Sequence, residues 1–147
     1  MQDILTCAMG LDIHRDVIVA CLAKGELGTD PEIEIRSFST LIPEMRKLRD
    51  WVLEAECHYV AMESTGIYWQ PIYEMLEPCF DGQINILVVN ARHMKNVPGR
   101  KTDMRDAQWI ATLLRAGLLK GSFIPDKTFR ELRHLTRYRK SIVHDIT

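Results

Sequence analysis

Leu5-Thr6-Cys7-Ala8-Met9-Gly10-Leu11-Asp12-Ile13-His14 is the stretch on which the fold turns. From Leu5 to Leu11 it is nearly all apolar, without the polar alternation of a half-exposed strand, so it predicts a central strand buried on both faces. Asp12 closes this apolar run, and Glu63 closes another, His58 to Met62. A third run, Ile84 to Val89, leads towards Asp103 and Asp106 at the start of a predicted helix. Carboxylates gathered at strand ends repel and raise one another's pKa unless something positive sits between them. A pair of divalent cations resolves the conflict, and Mg²⁺, with Mn²⁺ able to replace it, prefers such hard oxygen ligands. The expectation is metal-dependent phosphodiester chemistry, with Asp12, Glu63, Asp103 and Asp106 as catalytic and metal-ligating residues.

Outward from that stretch the patterning alternates in type. Val17 to Ala23 follows after a tight hairpin, and Glu32 to Phe38 alternates polar with apolar as a charged edge strand does. Thr40 is placed to cap a helix carrying Leu41, Met45, Leu48 and Val52, with Pro43 in its first turn. Tyr59 to Met62 predicts a short strand, Tyr68 to Leu76 a second helix and Ile84 to Val89 a buried strand. A loop through Pro98-Gly99 then feeds a helix from Asp103, whose Ala107, Ile110, Leu113 and Leu114 make an apolar stripe ended by Gly117. A link through Gly121 and Pro125 leads to a last helix from Asp126. Three meandering strands followed by two helix-linked strands make a mixed five-stranded α/β sheet flanked by helices.

The 147 residues, 46% hydrophobic and 27% charged, suffice for one domain with a real core. Its start lacks a basic leader and no apolar run reaches the roughly 18 residues of a membrane span, so the expectation is a cytoplasmic protein with no membrane partner. Cys7, Cys21, Cys57 and Cys79 form no CxxC pair and are expected as reduced thiols. Net charge is −1, yet residues 1–89 hold 6 Lys/Arg against 15 Asp/Glu, whereas 90–147 hold 13 against 5. The second part is the nucleic-acid candidate, through Arg92, Lys95, Arg100, Lys101 and Arg105 beside the acids and Arg130, Arg133 and Arg137 on the last helix.

Gly10-Leu11-Asp12-Ile13-His14, Met62-Glu63-Ser64-Thr65-Gly66 and Gly99-Arg100-Lys101-Thr102-Asp103-Met104-Arg105-Asp106-Ala107, in that order, resemble the DEDD transposases of bacterial insertion sequences, relatives of the Piv and MooV DNA invertases. The resemblance covers essentially the whole chain. It implies an RNase H-like (RuvC-like) domain over residues 1–124, with Asp12, Glu63, Asp103 and Asp106 as its acidic tetrad. It further implies a recombinase guided by a structured RNA, a homo-oligomer acting on DNA, and a helical connector beginning at 125–147. In such proteins a C-terminal domain supplies a serine nucleophile, which this chain is expected to lack and without which it should not recombine DNA.

Other readings compete. A metal-dependent Holliday-junction-type nuclease uses the same acids, and an RNA-binding or dimerisation module would need them only structurally. A sugar-kinase or actin-like ATPase also begins with a strand ending in Gly-x-Asp, but His14 stands where close phosphate approach needs glycine. Replacing Arg100 and Lys101 with glutamine is expected to weaken nucleic-acid binding and to lower the slope of log affinity against log salt by about 2, measured by anisotropy across a salt series. An unchanged slope would exclude direct phosphate contact by this pair.

Overall fold

The computed structural model of the chain describes residues 3–64, 66–89, 106–119 and 121–122. Strands β1 (Cys7–Ile13), β2 (Val17–Lys24) and β3 (Glu32–Ser39) form an antiparallel meander. Helix α1 (Ile42–Glu54) returns the chain to β4 (Tyr59–Ser64), which lies parallel to β1, and α2 (Trp69–Leu76) leads on to β5 (Asn85–Val89), parallel to β4. Helix α3 (Asp106–Arg115) follows, and Gly121–Ser122 adds a two-residue β6 antiparallel to β5. The sheet order is β3-β2-β1-β4-β5-β6, so the apolar stretch quoted first is central and the charged Glu32–Ser39 strand is an edge.

Alternation along β1 and β4 separates two cores. Met9, Leu11, Ile13, Val60 and Met62 pack with Met45, Leu48, Trp51 and Val52 of α1 and Ile72, Tyr73 and Leu76 of α2. On the opposite face Ala8 and Ala61 meet Trp109, Ile110, Leu113 and Leu114 of α3. Each large side chain so buried contributes about 1.5–3 kcal/mol. A one-residue slip of β1 would send this set to the wrong face and drive Asp12 into the apolar one. Register is therefore strongly held, and with it the position of Asp12.

Helix α3 sits directly on Gly10. A Cβ built there would lie 2.5 Å from the backbone nitrogen of Ala111 and collide with the carbonyl oxygen of Ala107. Small residues on both sides, Gly10 on the strand and Ala107 and Ala111 on the helix, permit this approach. The far end is tied by backbone hydrogen bonds from Ile4 and Leu5 to the Arg115 carbonyl, at 2.8 and 3.0 Å. Arg115 itself is 1% exposed; its Nη1 donates to Asp3 Oδ2 at 2.6 Å and its Nη2 to the carbonyls of Gly25 and Glu26 at 3.0 and 3.1 Å. Beyond it Gly117, at φ 72°, closes the helix with the paired Gly117-to-Leu114 and Leu118-to-Leu113 bonds of a Schellman cap.

Three local expectations are corrected. Leu41, not Thr40, is the N-cap of α1, because the Thr40 hydroxyl instead donates to the Arg15 carbonyl at 2.9 Å and ties the β1–β2 turn to the end of β3. A 3-10 turn over Cys79–Gly82, with Phe80 and Asp81 in left-handed conformations, precedes β5 where sequence periodicity signalled nothing. Gly121, expected in a plain link, enters the sheet beside Val89.

The four cysteines are free thiols. Burial pushes Cys21 up to about 11, whereas the hydrogen bond with Cys57 lowers Cys7 and raises Cys57.

Gly10→Ala is expected to destabilise the protein by more than about 2 kcal/mol, because backbone rather than a pliant side chain must give way. Urea unfolding checks this; a midpoint equal to that of the parent would mean that α3 is not seated on the strand.

Candidate functional site

Parallel register brings the first two acids together. Asp12 pairs with Glu63 across β1 and β4, so both side chains leave the sheet on the same face, on strands about 4.8 Å apart. Asp12 lies two residues beyond Gly10, and Glu63 two beyond Ala61, both of which face α3. They thus continue the α3 face past the point where helix packing keeps it dry. Strand ends of this kind are where open α/β sheets present their sites.

Helix direction brings the third. Contact of Gly10 with Ala107 and Ala111, and of the Arg115 carbonyl with Ile4 and Leu5, fixes α3 antiparallel to β1. The helix start therefore lies at the carboxyl end of β1, and Asp106 is its first residue. A positive helix terminus there favours negative charge nearby. Asp106 is exposed, Glu63 is half-buried and the Asp12 side chain is 16% accessible, so the acids range from the sheet floor to the open rim.

His14 stands beside Asp12. Its Nε2 lies 3.1 Å from Asp12 Oδ2 and its ring is largely exposed. This contact engages one carboxylate oxygen and orients the other, as partners of metal-ligating carboxylates do. The donor chemistry suits a hard dication, because the converging groups are carboxylates with no thiolate among them. Among the described residues, however, no three His, Cys, Asp or Glu side chains stand close enough together to hold a metal ion. Asp12 and Glu63 are register neighbours, and Asp106 begins the helix at the same end of the sheet.

Asp103 lies outside the described residues, as do Arg92, Lys95, Arg100, Lys101, Arg105, Arg130, Arg133, Arg137 and His93. Trp69, next to the loop after Glu63, packs edge-to-face on Tyr73 at 5.6 Å and lies against the core.

Sequence reading missed a feature on the α1 and α2 side of the sheet, opposite the face that carries Asp12 and Glu63. A cavity of about 390 Å³ is lined by Arg15, Thr40, Met45, Ile67, Tyr68, Gln70, Pro71 and Glu74. It is framed by the turn that follows Asp12 and the loop that follows Glu63. The available signal was Ile67-Tyr68, an apolar pair directly after a strand-end acid and Gly66, which is 69% and 42% exposed in the fold.

Comparisons with known proteins agree with this architecture. The sequence profile of the DEDD IS110 family, described as Transposase, matches residues 9–147. The structure of Thermus thermophilus RuvC superposes with a TM-score of 0.52 at 12% identity, covering 78% of this chain and 99% of that one. The T. thermophilus RuvC in complex with a Holliday junction substrate gives 0.51 at 13% identity, covering 80% and 99%. At such identity the likeness shows a shared fold. Comparison with curated proteins gives no match. No helix among the described residues is long and apolar enough to cross a membrane.

Metal affinity of the acids is open to a direct check. Mn²⁺ at about ten times its Kd should stabilise the fold by roughly 1.4 kcal/mol, a rise in Tm of about 3–6 °C, and Asp12→Asn should abolish that rise. Thermal melts with and without Mn²⁺ measure it, and a Tm indifferent to millimolar metal would leave the acids a structural role only.

Proposed function

Because the chain belongs to the DEDD transposase family of the IS110 type, we propose that it is the metal-dependent strand-cleaving domain of an insertion-sequence recombinase. The observation that carries this reading is the register pairing of Asp12 with Glu63 beneath the start of α3. Asp12 and Glu63 hold the floor of the site, Asp106 at the helix start supplies the rim, and Asp103, three residues earlier in the sequence, completes the proposed tetrad. His14 steadies Asp12 through Oδ2. Bound Mg²⁺, replaceable by Mn²⁺, supplies charge neutralisation for the attacking and leaving oxygens of an in-line displacement. Arg92, Lys95, Arg100, Lys101 and Arg105 steer the phosphate backbone of DNA past the acids without reading bases.

Resemblance in the three motifs supports the finer parts of the proposal. These are a structured guide RNA contacted by Arg130, Arg133 and Arg137, assembly as a homo-oligomer, a catalytic domain over 1–124 and a connector from 125, and action in the cytoplasm. A junction-resolving nuclease is the second reading, favoured by the likeness to a RuvC solved with a Holliday junction substrate. The two separate by substrate, since a resolvase cuts four-way junctions without an RNA.

Asp12→Asn and Glu63→Gln are each expected to lower metal-dependent cleavage by the whole protein at least about 100-fold, with the circular-dichroism spectrum unchanged. Gel assays on element-end DNA with guide RNA, and on a four-way junction, decide between the readings. Full cleavage by either variant would remove the acids from the chemistry.

A further inference from the structure

We propose that Cys7 and Cys57 form a thiol–disulfide exchange site at the amino end of the central strand, and that its reagent is a low-molecular-weight disulfide. The site shares no residue with the acids, which lie at the other end of the same strands, and it stands whether or not they cleave DNA.

Register places the pair. Met9 lies opposite Val60 across β1 and β4, and the same parallel register, continued two residues back, sets Cys7 opposite His58 and one position from Cys57. Neighbouring strands about 4.8 Å apart, with an offset of one residue of about 3.3 Å, put the two Cα atoms roughly 6 Å apart, within the ~4.4–6.8 Å that a disulfide spans. Both side chains pack on the α1 and α2 face of the sheet. Cys57 is held firmly there: its backbone N–H donates to the Val52 carbonyl at 3.1 Å and its thiol to the Tyr59 carbonyl at 3.3 Å. The bond would tie the start of β1 to the approach to β4, the two strands whose far ends carry Asp12 and Glu63.

The two thiols differ as an attacking and a resolving sulfur must. Cys7 is partly exposed, whereas Cys57 is fully buried. Lys24 is the register partner of Cys7 on β2, and its ammonium is held at this end by donating to the Ala55 carbonyl at 3.0 Å. The Cys57 hydrogen bond, aided by Lys24 and Arg115, lowers the Cys7 thiol against its burial, and the same contact raises Cys57. Partial exposure beside a cation is the setting of a reactive thiol, and burial that of an inert one. The Cys7 thiolate attacks one sulfur of the small disulfide, forming a mixed disulfide and releasing one thiolate, which takes up a proton. Cys57 then loses its proton to solvent and attacks the Cys7 sulfur, and the second small thiol leaves. Two protein thiols are oxidised by two electrons, and one disulfide is reduced to two thiols.

Incubation of the whole folded protein with oxidised glutathione, followed by unfolding in iodoacetamide and digestion without reductant, tests the site by mass spectrometry. A linked Cys7–Cys57 peptide is expected, about 2 Da lighter than its two reduced parts, with Cys21 and Cys79 alkylated. Cys57→Ser should instead retain glutathione on Cys7, and Cys7→Ser should leave Cys57 unmodified until the protein unfolds. Mapping of the parent decides the matter even where loss of the buried Cys57 thiol prevents folding. Absence of the linked peptide from the parent, at a glutathione disulfide excess that fully modifies a short cysteine peptide, overturns the proposal. So does a bond between any other pair of cysteines, or a mixed disulfide that persists on Cys7 while Cys57 is present.

Discussion

The close approach of α3 to Gly10 is the constraint from which the rest of the arrangement follows. A helix can lie this near a strand only where neither carries a sizeable side chain, and Gly10, Ala107 and Ala111 meet that condition. Once seated there, the helix has its direction set by its far end, where Arg115 is buried between Asp3 and the Gly25 and Glu26 carbonyls. Breaking such a buried ion pair from one side costs about 3–5 kcal/mol, so this end of α3 is firmly held. Asp106 is thereby delivered to the carboxyl end of β1 rather than to its start.

Partition of the sheet into two dry faces supplies the other half. The α1 and α2 face takes the large side chains of β1 and β4, and the α3 face takes the small ones until the helix begins. Past that point Asp12 and Glu63 stand side by side on the α3 face, each only partly exposed. Carboxylates placed there escape the desolvation of the core yet remain close to one another. Their mutual repulsion is tolerable beside a helix N-terminus, and a bound cation would relieve it.

Membership of a transposase family and a RuvC-like fold accord with this edge, and the loops leaving it carry more than acids. The turn after Asp12 presents Arg15, and the loop after Glu63 presents Ile67 and Tyr68 around a cavity.

Much of this was legible in the amino-acid order, because burial on both faces leaves a continuous apolar run and helices leave a period near four. The five main strands, the three helices, the edge position of Glu32–Ser39 and the Gly117 stop could be read that way. So could the two strand-end acids, since a carboxylate closing an apolar run needs an explanation. Tertiary contact alone decided the diversion of Thr40 from its helix to the Arg15 carbonyl, the left-handed turn at Phe80 and Asp81, and the joining of Gly121 to β5. It also decided which carboxylates are neighbours: local patterning specifies what each segment is, whereas register and helix seating depend on residues far apart in the chain. The opening between Arg15 and Tyr68 is of that second kind, because its walls come from separate loops that meet only when the sheet has formed.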